Sequence, residues 1–355
     1  MLRNPLRSTD PGSGWVFSEL HLPRPLEPDQ VAAMLLRLAA DRAAPPLIFE
    51  ARAEAGQLVQ HLVGTPAEHV VWVQRTLRHL LPGLDIDGLD RPRLPVQRSV
   101  RVRIRPRSFA LSIDRAEIVS LSLLSALDAR LERDERLVVQ VLLGRRMAPK
   151  HLPKEVPDPT QPWWQFVTRG QVSANKALRD QIDTRSGQHG FAACVRIGAS
   201  ATTPQRRQQL VIGALGALST AQDRGTYVDL VFEPAVRLNG PRLPWRWSLR
   251  LGASELPGLL GWPLGEADLP GVAPLHPRPL RVPDKVNRSE RLFAVPGAPG
   301  PTAPVGIAAR DISSHLLTTG PTGVGKSTVL LNLVTADIAA GRPVLVIDPK
   351  WQLIR

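Results

Sequence analysis

The chain of 355 residues carries 45 basic against 32 acidic side chains, a formal net charge of +13, and is 43% hydrophobic, which excludes a disordered polyelectrolyte and predicts two or three domains, each with its own core. No apolar run reaches the roughly 18 residues that cross a bilayer, and Met1–Gly12 lacks the apolar centre of a signal peptide. A single cysteine, Cys194, excludes an internal disulfide and a cysteine-held metal cluster, and predicts a protein of the reducing cytoplasm. The positive charge is spread along the chain as arginine, with six lysines in all and no block of like charges, so it does not by itself predict a nucleic-acid partner.

Residues 1–44 read as a lead-in with a helix from Pro28 to Arg42, capped near Glu27 and carrying Val31, Met34, Leu35 and Leu38 on one face. Residues 45–147 read as an α+β accessory domain. Leu47–Ala51 and Leu58–Leu62 form a strand pair around Glu54-Ala55-Gly56, and Thr65–Leu81 is a helix with Thr65 and Glu68 in the spacing of a capping box. Val100–Arg105 alternates, placing Arg101, Arg103 and Arg105 on one face of a strand and three aliphatics on the other. That face reads either as a solvated sheet surface or as a surface that tracks phosphates. A helix over Arg115–Leu131 and a strand over Leu137–Leu143 complete a ferredoxin-like order.

Residues 148–189 form a proline-rich linker with a short helix at Trp163-Trp164, an aromatic pair that either docks on a neighbour or anchors a core. A second α+β unit, 190–260, has strands at Phe191–Ile197 and Val228–Phe232 around a helix at Thr203–Thr220 and a short helix starting at Ser254. It repeats the order strand, helix, strand, and so predicts a duplication. Residues 261–304 are rich in proline and glycine and read as a crossing between domains.

Residues 305–355 carry the chemistry. Gly320-Pro321-Thr322-Gly323-Val324-Gly325-Lys326-Ser327, followed by Thr328, satisfies G-x-x-x-x-G-K-[ST]. The glycines let backbone N–H groups curl around phosphate oxygens, and the next helix aims its positive end at the same anion. Lys326 is expected to reach the β- and γ-phosphates, and the Ser327 hydroxyl to ligate Mg²⁺. His315–Thr319, within Ile312–Thr319 before the loop, and Val344–Ile347 after the helix read as buried strands, the second of the kind found in parallel sheets, with Gly341-Arg342-Pro343 ending the helix. This strand, loop, helix, strand order predicts the start of an α/β P-loop NTPase domain of RecA-like type.

With His315 at the head of the first strand and Asp348-Pro349-Lys350 ending the second, this stretch resembles the HerA/FtsK superfamily of DNA-pumping ATPases, and within it the TraG/TraD-like ATPases of type IV secretion and conjugation. Leu251–Pro257 is similar to a segment that precedes the motor in that group, with Pro257 a departure; Trp351-Gln352 stands where the family continues Gly-Asp. The resemblance implies a ring-forming, typically hexameric motor that hydrolyses ATP with Mg²⁺ to move DNA or protein, with membrane-associated secretion or conjugation proteins as partners at the inner face of the membrane. Asp348 then either forms a turn beside the site or orders water around the metal. The family's later acidic strand end and its arginine finger do not occur before Arg355, so the chain is expected to be a fragment or a product ending early, with its catalytic residues unassigned. The alternative expectation is a non-catalytic assembly module whose α+β domains recruit partners. A switch GTPase is disfavoured because no Asn-Lys-x-Asp motif occurs.

Overall fold

The computed structural model describes residues 14–89, 91–106, 110–150, 156–158, 161, 163–223, 225–273, 286–295, 303–308, 310, 316–319 and 324–347. They fall into two compact units, Met1–Leu275 and His276–Arg355. The first is an α+β unit on one nine-stranded sheet whose strand pairs are antiparallel.

Eight of the nine strands come in two sets with one topology. The first set is β1 (Trp15–His21), α1 (Pro28–Ala40), β2 (Leu47–Glu54), β3 (Gln60–Pro66), α2 (Val70–Leu80) and β4 (Asp85–Asp87). The second is β5 (Arg98–Arg105), α3 (Ala116–Leu127), β6 (Arg136–Met147), then α4 (Trp163–Arg169) and α5 (Lys176–Ser186) as an insertion, β7 (Gly190–Ser200), α6 (Pro204–Ser219) and β8 (Tyr227–Glu233). The sheet order is β4-β1-β3-β2-β6-β7-β5-β8. Each set therefore runs fourth, first, third, second strand, and the two meet second strand to second strand. The repeats are bounded at Trp15–Asp87 and Arg98–Glu233, whereas the composition breaks fall at 45, 148 and 190. The proline-rich stretch fills the β6–β7 connection, which in the first repeat is a tight turn at residues 55–59.

The register makes the correspondence residue by residue. Leu20 lies opposite Ile86 as Val102 lies opposite Leu230. In both edge strands the preceding aspartate caps the next N–H: Ile86 N donates to Asp85 Oδ1 at 2.9 Å, and Leu230 N to Asp229 Oδ1 at 2.8 Å. With these aligned, Glu19 corresponds to Arg101, Gln60 to Cys194, His61 to Val195, Gly64 to Gly198 and Glu50 to Gln140. Glu50 and Gln140 are also direct partners across the β2–β6 seam. An approximate two-fold axis therefore passes between them.

One face of the sheet carries the main core. Alternate residues such as Phe49, Ala51, Val139, Val141, Val195 and Ile197 meet the apolar sides of α1, α2, α3 and α6. Trp262 packs edge-on to Phe49, with ring centroids 5.2 Å apart. α1 spans most of the expected helix and buries the expected Val31, Met34, Leu35 and Leu38. In place of the short helix expected to start at Ser254, the chain makes two 3₁₀ turns, Ala253–Glu255 and Pro257–Leu260.

Thr65 does not cap a helix. It belongs to β3, paired with Val16, and its Oγ1 has no hydrogen-bond partner among the described residues. The chain instead enters α2 through a 3₁₀ turn, Ala67–His69, without a side-chain cap. The β1–β3 ladder takes the residue that the local pattern assigned to the helix, because β1 lies in what reads as the lead-in.

The opposite face holds a buried ionic cluster over the seam. Glu50 accepts from Arg93 at 2.6 and 2.9 Å, from Arg52 at 3.0 Å and from Gln140 at 2.6 Å. Burial by itself would raise the Glu50 carboxyl, but Arg93 and Arg52, with hydrogen bonds from Arg93 and Gln140, hold it down at about 2. Arg93 also donates to the carbonyl oxygens of Leu238 and Asn239 and stacks 4.4 Å over Phe17. Arg196 donates to Gln140 Oε1 at 2.9 Å and to Glu233 at 3.1 Å. Through Arg93 the cluster ties residues 93–96 and the short α7 (Val236–Asn239) onto the sheet, with Val96 and Asn239 bonded to each other. β9 (Leu249–Gly252) then pairs with β7 alongside the end of β5.

Candidate nucleotide-binding site

The second unit contains β10 (Leu292–Ala294), paired with β11 (Val305–Gly306), and α8 (Lys326–Ala339). α8 begins at the predicted lysine. Its N-cap is Gly325 at φ +89°, the left-handed region that glycine enters without a Cβ clash, and the helix has no side-chain cap. The first helical bond, Val329 N to Gly325 O at 3.0 Å, leaves the N–H groups of the first turn outside the intrahelical ladder. Lys326, Ser327 and Thr328 occupy that turn, with Ser327 and Thr328 exposed. Val324 is exposed just before it. Gly320, Pro321, Thr322 and Gly323 lie outside the described residues, as do His315 and Asp348.

The other end of α8 is fastened by charge. Asp337 accepts from Arg291 Nε at 2.6 Å and from Arg342 Nη1 at 3.0 Å, and these hydrogen bonds, Arg291 first, hold its carboxyl below the usual range. Gly341, at φ +69°, closes the helix with its N–H on Ile338 O at 2.9 Å. The expected stop at Gly341-Arg342-Pro343 therefore matches the observed end.

The flanking strands differ from expectation. Residues 316–319 and 342–347 form no strand among the described residues. Leu317, Leu345 and Ile347 are 84%, 86% and 83% exposed, and Leu333 is the buried residue of α8. A parallel strand exists through its ladder with a neighbour, and neither segment has one here. The apolar runs were legible; their pairing was not.

The arginine strand is β5. Val100, Val102 and Ile104 enter the core, while Arg103 Nη2 meets Asp229 at 2.6 Å and Arg105 Nη2 lies 3.4 Å from the same carboxylate. The buried cluster of Glu50, Arg52, Arg93, Gln140, Arg196 and Glu233 gave no sequence signal beyond polar residues alternating with the core-facing apolar ones, as Glu50, Gln140 and Arg196 do. Among the described residues no helix is long and apolar enough to cross a membrane. Comparison with protein-family models and with curated proteins finds no match to this chain.

Proposed function

We propose that the chain is the nucleotide-binding segment of a motor ATPase of the HerA/FtsK type, with the TraG/TraD-like group as its model. Residues 276–355 hold ATP and Mg²⁺ at the start of a RecA-like P-loop domain, and the first unit is its accessory body. The observation that carries this reading is Gly325 in the left-handed conformation directly before Lys326, at the uncapped N-terminus of a 14-residue helix. That arrangement presents backbone N–H groups and the positive helix end to an anion. In this reading Lys326 contacts the β- and γ-phosphates, Ser327 ligates Mg²⁺, and Gly320 to Thr328 make up the loop that takes the phosphate chain. ATP with Mg²⁺ supplies the phosphoryl bond whose hydrolysis drives movement of DNA or protein. Assembly as a hexameric ring beside membrane-associated secretion or conjugation proteins, at the cytoplasmic face, follows from the same model.

The repeated fourth, first, third, second strand order with two crossing helices supports reading each half of the first unit as a ferredoxin-like β-α-β-β-α-β module. A second functional reading is favoured by the exposed Leu317, Leu345 and Ile347, which lack the ladder of a working nucleotide fold. In it the chain is an assembly module that recruits partners through the paired repeats. Fluorescent-ATP titration separates the two. The motor reading expects Mg²⁺-dependent binding that weakens about tenfold or more in Lys326→Ala, the loss of one charge-assisted phosphate contact, and loses its Mg²⁺ dependence in Ser327→Ala. Binding that is absent, or indifferent to Lys326→Ala, leaves the module.

A further inference from the structure

The two repeats diverge at one place in a way that leaves charge uncompensated. In the first, Glu19 is buried and accepts from Gln60 Nε2 at 2.8 Å. The corresponding pair in the second is Arg101 and Cys194. A thiol cannot neutralise a guanidinium. Arg101 is partly buried, lies across from Arg196, and its Nε is sealed from solvent with no hydrogen-bond partner among the described residues.

The carboxylates nearby are already engaged. Asp229 is held by Arg103 and Arg105, and Glu233 by Arg196 and by Arg237 at 3.3 Å. Four arginines thus share these two carboxylates. Arg103 Nε is likewise buried without a partner. Beside the Cys194 thiol, and hydrogen-bonded to it, stands the buried Ser248, whose Oγ has no nitrogen or oxygen partner among the described residues. Two residues on, Arg250 lies opposite Ala192 and so on the same face as Cys194, exposed.

The backbone explains the convergence. One flank of β7 is shared end to end by β5, paired at residues 196–199, and β9, paired at 190–193. Cys194 sits at the junction. Arg101 from one ladder, and Ser248 and Arg250 from the other, stand on the face that Cys194 occupies. Unpartnered guanidinium nitrogens beside a hydroxyl held only by a thiol match an anion with several acceptor oxygens.

We propose that this junction is an oxyanion site of the phosphate class, with Arg101 as its principal ligand, Ser248 Oγ as a neutral donor and Arg250 at the rim. It lies in the first unit and does not depend on the nucleotide reading. To keep the glycine loop out of the measurement, the full-length Lys326→Ala chain is titrated with inorganic phosphate against chloride at matched ionic strength, following melting temperature and calorimetric heat. Phosphate is expected to stabilise that chain, with binding weakened about tenfold in Lys326→Ala/Arg101→Gln, as loss of a charge-assisted contact predicts. Lys326→Ala/Ser248→Ala, which leaves the charges intact, is expected to weaken binding by a smaller factor. Circular dichroism confirms that each variant is folded. A single-stranded oligonucleotide that competes with phosphate identifies a phosphodiester backbone as the source, and failure to compete identifies a free phosphate or phosphomonoester. No stabilisation beyond chloride, or binding equal in all three chains, overturns the proposal.

Discussion

The two halves of the sheet share a topology and a register, yet the polar chemistry at corresponding positions differs almost throughout. Where the first repeat has Glu19 on Gln60, the second has Arg101 beside Cys194. His61 corresponds to Val195, and Glu50 faces its own counterpart Gln140 over the approximate axis. What is kept is what the backbone needs: alternating apolar residues under the helices, a glycine at the same place on each third strand, and an aspartate capping each edge. Fold and site chemistry are therefore separable here. The fold resides in period-two patterning and close approaches, and function in the polar residues free to change.

The most severe way to break the comparison is at its axis. Glu50→Ala strands Arg52 and Arg93 in a buried setting and is expected to cost about 3–5 kcal/mol. Its counterpart Gln140→Ala removes an uncharged side chain whose hydrogen bonds join the Glu50 carboxylate and the Arg196 guanidinium, and is expected to cost about 1.5–3 kcal/mol. Urea unfolding of both checks the inequality, and equal losses would show that the cluster is not centred on Glu50. The Glu50 carboxyl also gives a pH signature. Its folded value of about 2 lies below the ordinary 4.5, so its stabilisation is complete above about 4.5 and is lost as pH falls toward 2. Gln140 contributes no such slope.

The paired glycines come next. A Cβ on Gly64 would lie 2.6 Å from the Phe17 ring, and one on Gly198 would lie 2.8 Å from Leu238 and Val96. Both replacements by alanine are expected to destabilise by roughly 1–3 kcal/mol through overpacking, measured by thermal unfolding. A neutral Gly198→Ala beside a damaging Gly64→Ala would mean that the face over the second repeat is looser than its register suggests. His61 sharpens the contrast differently. Burial pushes its imidazole down to about 4, against the hydrogen bond to Gly261 O that raises it. A depressed folded value means stability that is present above about 6.5 and lost as pH falls through about 4. His61→Gln should flatten the stability curve between those values, whereas Val195 gives the second repeat nothing to titrate.

Much of this was legible in the chain. Val31, Met34, Leu35 and Leu38 announce α1 because apolar residues at helical spacing over thirteen residues fit neither a strand nor a loop. Arg101, Arg103 and Arg105 announce the two-faced β5, and Gly325-Lys326 the start of α8. The repeat was visible as a pattern but not at its true edges. Trp15–His21 is short, its residues are buried on both faces, and its place in the sheet depends on β3, some forty residues away, and on β4. No local signal carries that distance. For the same reason Thr65 reads as a cap and folds as strand. The Arg101 junction was hidden more deeply, since its unpaired state is visible only once β5 and β9 are seen to abut on β7 and Asp229 and Glu233 are seen to be engaged elsewhere.

The smallest expected effect tests the edges. Asp85 and Asp229 each occupy the outward donor of the next residue, and an edge strand with open donors invites another strand. Asp229→Ala exposes a seven-residue strand with Tyr227 and Phe232 68% and 75% exposed, and it also releases Arg103 and Arg105 from their shared carboxylate. Asp85→Ala exposes a strand of three residues. Loss of these partly exposed ion pairs and caps should change stability by less than about 1 kcal/mol in either variant. The difference should appear in association: sedimentation velocity is expected to show concentration-dependent self-association for Asp229→Ala and none for Asp85→Ala, because ladder length and apolar area both favour β8. Equal behaviour of the two variants would mean that strand length, not the aspartate, already protects the sheet, and the correspondence between the edges would then be one of geometry alone.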